Sequence, residues 1–555
     1  MPRFKRHWRN FIFYAAVFLC AALWFLCGAD LPTSFTGKDE FFLGFRTPLE
    51  MMEKDLWLFP QLDNVPRLRK PPLLYWLGRM AYEINGVSLF SIRAVSCLLS
   101  AFFIVAAVGI ARHFGFKKLE AAVVALVIAS SLGIATDAPR FMLDMPTAAF
   151  SALAFWCVLK TQQQKMWIFL AAFFLACGFL TKGPIVFLLC GAGILALILS
   201  GIWNIQSLIK NAAWIISAFA FWAILALPWF VAVKNLYPET ARAVFNDEIA
   251  SREIFKLHFT LFSGFLVVTM PWFFIGLVAI FKTFQKSTVN QTFFSKKYAV
   301  DRGKLLRFCV LWLVLTLIPF LFVRTFERYL LGAVLPFSLL LFLQWENLTN
   351  ANWARRLGML LAIFLGLFLA VFVLYFQKNA HVFWLFACAA VLLFFAFWQQ
   401  KPLAIAAAAS LIFWKVLLVG VFPAIAVNAV PPHIINLAKT QDVVFFEGPQ
   451  PAMLSILSGK THLHLSKWNA KTFDELAKNQ KIIFLSSDDF PQFIALAQRF
   501  NYQFQIVYEY KTLASKGSGL RFARAGENGN HWLWAIAMQN PEPLMLTIYA
   551  IRINP

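Results

Sequence analysis

The sequence predicts an all-α, polytopic membrane domain of about thirteen transmembrane helices, followed by a small α/β domain outside the membrane. Of the 555 residues, 60% are hydrophobic and only 14% are charged, against roughly 25% charged in an average soluble domain. Apolar runs of about 20 residues, long enough to cross a bilayer as helices, recur from Trp8 to Ile425. Beyond them, short β-type runs alternate with helical ones, which is typical of a small α/β domain.

We predict thirteen spans, with twelve or fourteen as alternatives because the third, fourth and fifth are short or carry polar residues. The predicted spans cover residues 10–28, 91–111, 119–136, 143–160, 166–181, 184–202, 212–233, 260–281, 305–323, 329–345, 357–376, 381–398 and 402–425. Lys and Arg residues concentrate in alternate loops, and the loop at 282–307 alone carries seven of them. By the positive-inside rule these loops face the cytoplasm, so an odd number of spans puts the chain after residue 426 on the outer side.

Two domains are expected from this layout. The membrane domain covers residues 1–428, and residues 29–90 form its first outer loop, which carries interfacial helices. The outer domain covers residues 429–555. Its strands are predicted in DVVFFEG, KIIFLSS and QFQIVYEY, and its helices in KTFDELAKNQ and DDFPQFIALAQRF.

The composition argues against several classes of function. The net charge of +23 is spread over loops between spans, which suits membrane topology and anionic lipids better than nucleic acid. All eight cysteines fall in apolar runs, without the spacing of a disulfide framework or a zinc site. Metal dependence is left open, because acid–cation clusters can bind divalent ions. A lipid or solute transporter is kept as the alternative of another class, although the chain lacks the internal repeats of many transporters.

Acidic and basic side chains gather in five stretches on the predicted outer face. One of the five stretches is the segment 245–258. The candidate site residues in the other four are Asp39, Glu40, Arg69, Lys70, Arg140, Asp144, Lys182, Arg324, Arg328 and Tyr329. Charged groups at membrane depth are expensive unless they serve a site. Their convergence on one face therefore favours a functional site.

Each stretch also has a purely structural explanation. The alternatives are helix caps for Asp39, Glu40 and Asp144, a snorkelling cation for Lys182, and an interface anchor for Arg328 and Tyr329. We expect Tyr75 and Trp76, which follow Lys70, to settle their segment at the membrane interface.

The residue types in these stretches suit transfer from a lipid-linked phosphate. Lys and Arg hold phosphate through charge-assisted hydrogen bonds, and Arg does so with a fork of donors. A carboxylate could orient an acceptor hydroxyl or take its proton, while the cations stabilise the departing phosphate. A lipid carrier fits a site at the bilayer edge, because its tail can stay in hydrocarbon.

Six motifs occur in an order that resembles the aminoarabinose transferase and protein O-mannosyltransferase superfamily, whose members are integral-membrane glycosyltransferases of the GT-C fold. The motifs are the acidic pair after the first span, then KPPLLYWL, RFMLDMP, LTKGP, LPWF and RYLLGAVLP, over roughly residues 10–345. KPPL, DMP and TKGP, which belong to the second, third and fourth of these motifs, together make the resemblance specific. Thirteen spans with an outer C-terminal domain resemble the aminoarabinose branch.

The resemblance implies a polyprenyl-phosphate sugar donor, undecaprenyl phosphate in bacteria, and an inverting transfer on the periplasmic face of the inner membrane. By the same resemblance, Asp39 falls on the family's catalytic carboxylate, and Asp144 on a second acid of the cavity. Lys70 falls on the lysine that holds the donor phosphate, and we assign its neighbour Arg69 to the same group. Arg252 corresponds to an arginine that contacts this phosphate in the family.

One position departs from the family pattern. Relatives usually carry Glu before Lys-Pro-Pro, whereas this chain has Arg69, which reverses the charge beside the donor phosphate. We therefore expect a neutral or acidic sugar rather than aminoarabinose. The expected acceptor is lipid A or another envelope glycolipid, with protein O-glycosylation as the alternative.

Overall fold

The structure is a computed structural model that describes residues 2–32, 40–251, 256–284, 300–349, 402–424, 427–446, 453–465, 468–513, 534, 537–540 and 542–554. Most of these residues form helices that pack side by side, and a five-stranded sheet lies near the C-terminus. The predicted fold class, an all-α membrane domain with a small α/β region after it, is confirmed.

The helices are named in chain order. In the first half of the chain they are α1 (Pro2–Leu26), α2 (Arg46–Glu53), α3 (Leu73–Asn85), α4 (Leu89–His113), α5 (Lys118–Ala129), α6 (Leu132–Asp137), α7 (Asp144–Lys160), α8 (Trp167–Lys182), α9 (Ile185–Leu199), α10 (Ile205–Lys210), α11 (Ala212–Leu236) and α12 (Pro238–Ser251). In the second half they are α13 (Thr260–Thr269), α14 (Phe273–Phe284), α15 (Arg302–Leu317), α16 (Val334–Thr349), α17 (Pro402–Lys415), α18 (Phe422–Ala424), α19 (Pro432–Thr440), α20 (Met453–Ser458), α21 (Ala470–Lys478) and α22 (Phe490–Arg499). Short π- or 3₁₀-helical segments cover Glu40–Phe45, Ile318–Leu321, Glu327–Ala333, Val416–Val421 and Glu542–Leu544.

The chain is a multi-pass membrane protein. Six of the described helices are long and apolar enough to cross a membrane, or seven if the bent pair α13–α14 is one span. Eleven of the thirteen predicted spans overlap described helices. The other two, 357–376 and 381–398, lie outside the described residues, so the total of thirteen stays a prediction.

Two of the predicted spans are broken into shorter helices. The span predicted at 260–281 is divided into α13 and α14, which are bent by 108° relative to each other. Pro271 lies at this break, where it removes a helix hydrogen bond and clashes with the preceding turn. The span predicted at 119–136 is divided into α5 and α6 at Ser130 and Ser131, whose hydroxyls bond back to a carbonyl of the preceding turn.

Close contacts between helices pack the core of the membrane domain. Small residues let aromatic rings of α7 approach its neighbours, as is typical of helix packing in membranes. A Cβ at Gly109 of α4 would lie 2.1 Å from the ring of Trp156, and one at Gly193 of α9 would lie 2.7 Å from that of Phe155. The core therefore leaves no room for larger side chains at these two positions.

The five-stranded sheet has the order β4-β3-β5-β7-β6. Its strands are β3 (Val443–Phe445), β4 (Leu463–His464), β5 (Ile482–Ser486), β6 (Phe504–Thr512) and β7 (Leu546–Ile553); β1 (Gln61–Leu62) and β2 (Val65–Pro66) form a separate hairpin. The predicted β3, β5 and β6 and the predicted helices α21 and α22 are found where we expected them. The strands β4 and β7 were missed, and β7 pairs antiparallel with both β5 and β6.

The sheet packs against the loop at residues 29–90, which the sequence predicts to be the first outer loop. Because side chains alternate along a strand, Val444 and Ile483 face α21 and α22, whereas Phe445 and Phe484 face the other way. The second face shares one hydrophobic cluster with side chains of the first outer loop, including Leu49. Hydrogen bonds also join the chain around β4 to the loop at residues 29–90. The domain division at residues 428 and 429 stays a prediction.

Candidate active site

A small cavity of about 80 Å³ lies where α3, α7, α8 and the turn at Glu327–Ala333 meet. Its described lining residues are Leu43, Gly44, Arg67, Lys70, Leu74, Tyr75, Phe141, Met142, Leu143, Asp144, Lys182, Arg328 and Tyr329. Four of these side chains are cations and one is a carboxylate. The structure therefore brings together five of the residues singled out in the sequence, namely Lys70, Asp144, Lys182, Arg328 and Tyr329.

Asp144 lies at the centre of the charged groups in this cavity. One of its carboxylate oxygens accepts a hydrogen bond from Lys182 Nζ, and the other lies 3.2 Å from Arg328 Nε. The Lys182 ammonium also sits over the ring of Tyr329, 3.6 Å from its centroid. Both cations are thus fixed by one carboxylate, and Lys182 is held against an aromatic face as well.

Local sequence explains how these side chains reach the cavity. Asp144 is the first residue of α7, where the helix N-terminus favours a carboxylate, and Pro146 is tolerated in that first turn. Lys182 is the last residue of α8. Gly183 follows with φ +77°, a backbone conformation that other residues rarely adopt, and the chain then turns into α9. The ends of α7 and α8 therefore meet at one edge of the helical domain.

Lys70 reaches the same cavity from the first outer loop. It precedes Pro71 and Pro72, whose fixed φ leads directly into α3. Its ammonium lies 2.5 Å from Glu248 Oε1 of α12. The neighbouring Arg69 is half exposed, is not among the described lining residues, and pairs with the carboxylates of Asp247 and Glu248 at 3.0 and 3.1 Å.

Our expectation that Tyr75 and Trp76 lie at the membrane interface is wrong for Tyr75. This side chain is only 2% exposed and lines the cavity, where its hydroxyl accepts a hydrogen bond of 3.2 Å from Arg67 Nε. Trp76 is half-buried and donates through Nε1 to the carbonyl of Trp57 at 2.5 Å. The α3 register therefore turns Tyr75 towards the cavity.

Glu40 forms a closed ion pair beside the cavity. Its carboxylate accepts hydrogen bonds from Arg93 Nε and Nη2 at 3.1 and 3.3 Å and from the backbone N–H of Phe141 at 2.9 Å. The remaining Arg93 nitrogen donates to the carbonyls of Ala29 and Leu31. Glu40 and Arg93 are fully buried, and neither is among the described lining residues. The pair holds the loop before α7 in place through Phe141.

The other sequence candidates lie elsewhere. Arg140 is buried beside Asp137, 3.2 Å from its carboxylate, and like Arg324 it is not among the described lining residues. Asp39 and Arg252 lie outside the described residues, so their roles stay predictions. Within the described part of the chain, no three His, Cys, Asp or Glu side chains are grouped closely enough to hold a metal ion.

Sequence reasoning missed two residues that shape this region. Arg93 lies inside a predicted span, and an arginine in an apolar run signals a buried partner. Glu248 belongs to a stretch that we had singled out, but nothing in the sequence connects it with Lys70, which is 178 residues away. Only the fold makes that contact visible.

The chain is similar to a known protein family and to several named proteins. The family described as dolichyl-phosphate-mannose-protein mannosyltransferase matches residues 46–241. A protein of Shewanella sediminis (strain HAW-EB3) named undecaprenyl phosphate-alpha-4-amino-4-deoxy-L-arabinose arabinosyl transferase is 26% identical over 301 residues, which are 52% of this chain and 51% of that protein. A protein of the same name from Pseudomonas aeruginosa (strain UCBPP-PA14) is 26% identical over 432 residues, 73% of each chain.

The fold also matches a solved structure along almost its full length. The crystal structure of ArnT from Cupriavidus metallidurans bound to undecaprenyl phosphate superposes with a TM-score of 0.67 at 15% identity, covering 97% of this chain and 98% of that one. In sequence, the chain spans about half of the first curated relative described above. Taken together, the motifs, these relatives and the fold support the resemblance of the chain to the GT-C superfamily of aminoarabinose transferases and protein O-mannosyltransferases.

Proposed function

We propose that the chain is an integral-membrane glycosyltransferase that moves a sugar from undecaprenyl phosphate to an acceptor on the periplasmic face of a bacterial inner membrane. The observation that carries this proposal is that, among the described lining residues of the cavity beside α7, four are cations and one is a carboxylate. Such a cation-rich cavity suits an anionic ligand, because phosphate oxygens accept charge-assisted hydrogen bonds from Lys and Arg. The names of the curated relatives support the choice of a polyprenyl phosphate as that anion.

In this proposal the cations hold the donor phosphate. Lys70 approaches from the first outer loop, while Lys182 and Arg328 approach from the membrane helices. Asp144 would keep Lys182 and Arg328 in position before the donor arrives, since it contacts both. Phosphate would then find donors already oriented, which lowers the cost of reorganisation during the reaction.

The chemical step in this proposal is the inverting transfer that the family resemblance implies. The acceptor hydroxyl attacks the anomeric carbon from the side opposite the phosphate, so the configuration at that carbon inverts. The bond between the anomeric carbon and the phosphate oxygen breaks, and its electron pair stays on the phosphate, whose added charge the cations stabilise. The hydroxyl proton passes to Asp39, the acid that the family resemblance assigns to this role.

We propose lipid A or another envelope glycolipid as the acceptor. The support is that the curated relatives matched over more than half of the chain are named as aminoarabinose transferases. The alternative is a hydroxyl group of a protein, which the description of the matching mannosyltransferase family favours. A mass shift on lipid A, or on envelope proteins, between cells with and without this gene separates the two acceptors.

The transferred sugar is a separate question. Arg69 reverses the charge found in relatives and led us to expect a neutral or acidic sugar. Because its charge is balanced by Asp247 and Glu248, and because it is not among the described lining residues, its effect on the sugar is smaller than its position suggests. Purified protein should be assayed with a panel of polyprenyl-phosphate sugars. Efficient use of the aminoarabinose donor alone would contradict the expected neutral or acidic sugar.

The same assay tests the proposed function. We expect transfer from at least one undecaprenyl-phosphate sugar by wild-type protein, and a loss of roughly 100-fold or more in Asp144→Asn, because Lys182 and Arg328 lose their anchor. Correctly folded wild-type protein that transfers no sugar from any member of the panel, to lipid A or to protein, would contradict the proposal.

A further inference from the structure

The cations assigned to the donor phosphate already have carboxylate partners in this structure. Glu248 Oε1 lies 2.5 Å from Lys70 Nζ and 3.1 Å from Arg69 Nε. Asp247 Oδ2 lies 3.0 Å from the Arg69 guanidinium. Two consecutive residues of α12 thus pair with Lys70, which lines the cavity, and with its neighbour Arg69; Glu248 lies 178 and 179 residues from these cations in the chain.

The ion pair between Lys70 and Glu248 is close enough to compete with a ligand of Lys70, and it is exposed enough to break. The side chains of Lys70 and Glu248 are 19% and 24% exposed, so water can replace either partner. Most of α12 is exposed, and its packing is mainly against α11, which precedes it in the chain. An element held by so few buried contacts can be displaced at low cost.

We propose that Asp247 and Glu248 are counter-ions that compete with the carrier phosphate for Lys70 and Arg69, and that they promote release of the spent carrier after each transfer. This inference rests on the proposed function. Carboxylate and phosphate oxygens are acceptors for the same ammonium and guanidinium donors, so Lys70 cannot bind both at full strength. Carrier binding therefore requires Glu248 to leave, and carrier release lets it return.

The charge of the carrier changes during the reaction, which explains why a competitor is useful. The sugar donor is a phosphodiester with one negative charge. The spent carrier is a phosphate monoester, which carries about −1.5 to −2 at pH 7. Transfer thus leaves the more strongly bound species, the spent carrier, in the cavity. A carboxylate that competes for the same cations increases the rate at which this carrier dissociates.

The sequence departure at position 69 fits this role. An arginine here would make the cationic edge more attractive to the spent carrier. The two carboxylates of α12 offset that added charge, because Asp247 contacts Arg69 and Glu248 contacts both Arg69 and Lys70. The two acids therefore determine how tightly the site retains phosphate.

Binding of undecaprenyl phosphate to the full chain in nanodiscs tests the inference. We expect Glu248→Gln to bind this lipid about three- to fivefold more tightly than wild type, and Asp247→Asn to show a smaller gain, because these partly exposed ion pairs are individually weak. In turnover assays, Glu248→Gln should be inhibited by added undecaprenyl phosphate at correspondingly lower concentrations. Glu239→Gln, on the exposed first turn of the same helix, is the matched control and should behave as wild type.

The possible outcomes separate this inference from the proposed function. Unchanged or weaker binding by Glu248→Gln, with binding still lost in Lys70→Met, would overturn the competing role and leave the donor site intact. Equal binding by wild type and Lys70→Met would instead contradict the proposed donor site. Both α12 acids are partly exposed, so replacing either one leaves no buried charge without a partner. Tighter binding of undecaprenyl phosphate by either folded variant supports the inference.

Discussion

Two groups of buried charges lie close together in this molecule and differ in one respect. In the pair formed by Glu40 and Arg93, each nitrogen of the guanidinium has an acceptor and the carboxylate accepts three hydrogen bonds. Around Asp144, by contrast, cations outnumber carboxylates and a cavity adjoins them. The first group is closed, whereas the second adjoins a cavity where an anionic ligand could contact the cations.

The difference indicates which buried charges build the fold and which serve chemistry. Both groups contact the loop that precedes α7, since Glu40 binds the N–H of Phe141 and Asp144 begins the helix. A fully satisfied pair rigidifies the loop, and the rigid loop in turn positions the charged groups around Asp144. The following predictions test this division of roles.

The largest effect on the transfer rate is expected from replacing Asp39, whose proposed role differs from that of the adjacent Glu40. If Asp39 takes the acceptor proton, Asp39→Asn should lower the transfer rate about 1,000-fold, because proton transfer by a positioned group contributes this order of magnitude. Its thermal unfolding midpoint should stay at the wild-type value. Transfer at the normal rate by folded Asp39→Asn would refute the catalytic role.

Breaking the closed pair should lower stability instead. Arg93→Met leaves the Glu40 carboxylate buried without its partner, which typically costs about 3–5 kcal/mol. Thermal unfolding in detergent should therefore show a large fall in midpoint and a reduced yield of monodisperse protein. The double variant Glu40→Gln with Arg93→Met should recover part of the loss, and an equally unstable double variant would argue against a pairwise interaction.

Removing one cation from the cavity should affect activity more than stability. In Lys182→Met, Asp144 keeps Arg328 as a partner, but one donor to the phosphate is lost. We expect transfer to fall about 100-fold, as for other single donors that stabilise charge in a transition state. Lys165→Met, in the loop before the opposite end of α8, is the matched control. Equal activity of the two variants would remove Lys182 from the site.

A buried histidine between the outer sheet and the first loop gives a smaller, pH-dependent effect. Burial, with Lys460 nearby, lowers the pKa of His462 from 6.5 to about 3. The unfolded chain therefore binds a proton between these values that the folded chain does not, so stability falls as the pH drops below 6.5, by roughly 2 kcal/mol at pH 5. Unfolding midpoints at pH 7.5 and 5 should differ less in His462→Gln, and an unchanged difference would exclude His462 as the cause.

Much of the site could be predicted because its residues lie in short motifs at the ends of predicted spans. Lys70 and Asp144 lie beside prolines at helix starts, and Lys182 lies before Gly183 at a helix end, so local sequence places all three at helix termini. Arg93 and Glu248 could not be assigned in the same way. Their partners lie 53 and 178 residues away, and only tertiary packing brings them together.

The fold was predictable to a similar extent. Apolar runs identified the helices, but Pro271 should have signalled the bend between α13 and α14. The strand β7 was missed although its side chains alternate between buried and partly exposed over much of its length. Its place between β5 and β6 depends on long-range pairing, which no local pattern reports.

The central claim is that the cation-rich cavity holds a polyprenyl carrier by its phosphate. The most direct test compares the binding of undecaprenyl phosphate and undecaprenol to wild-type protein and to Lys70→Met in nanodiscs. We predict that the wild type prefers the phosphate by about tenfold or more, and that Lys70→Met loses most of this preference while its affinity for undecaprenol is unchanged. Equal affinity of the wild type for the two lipids would contradict the account.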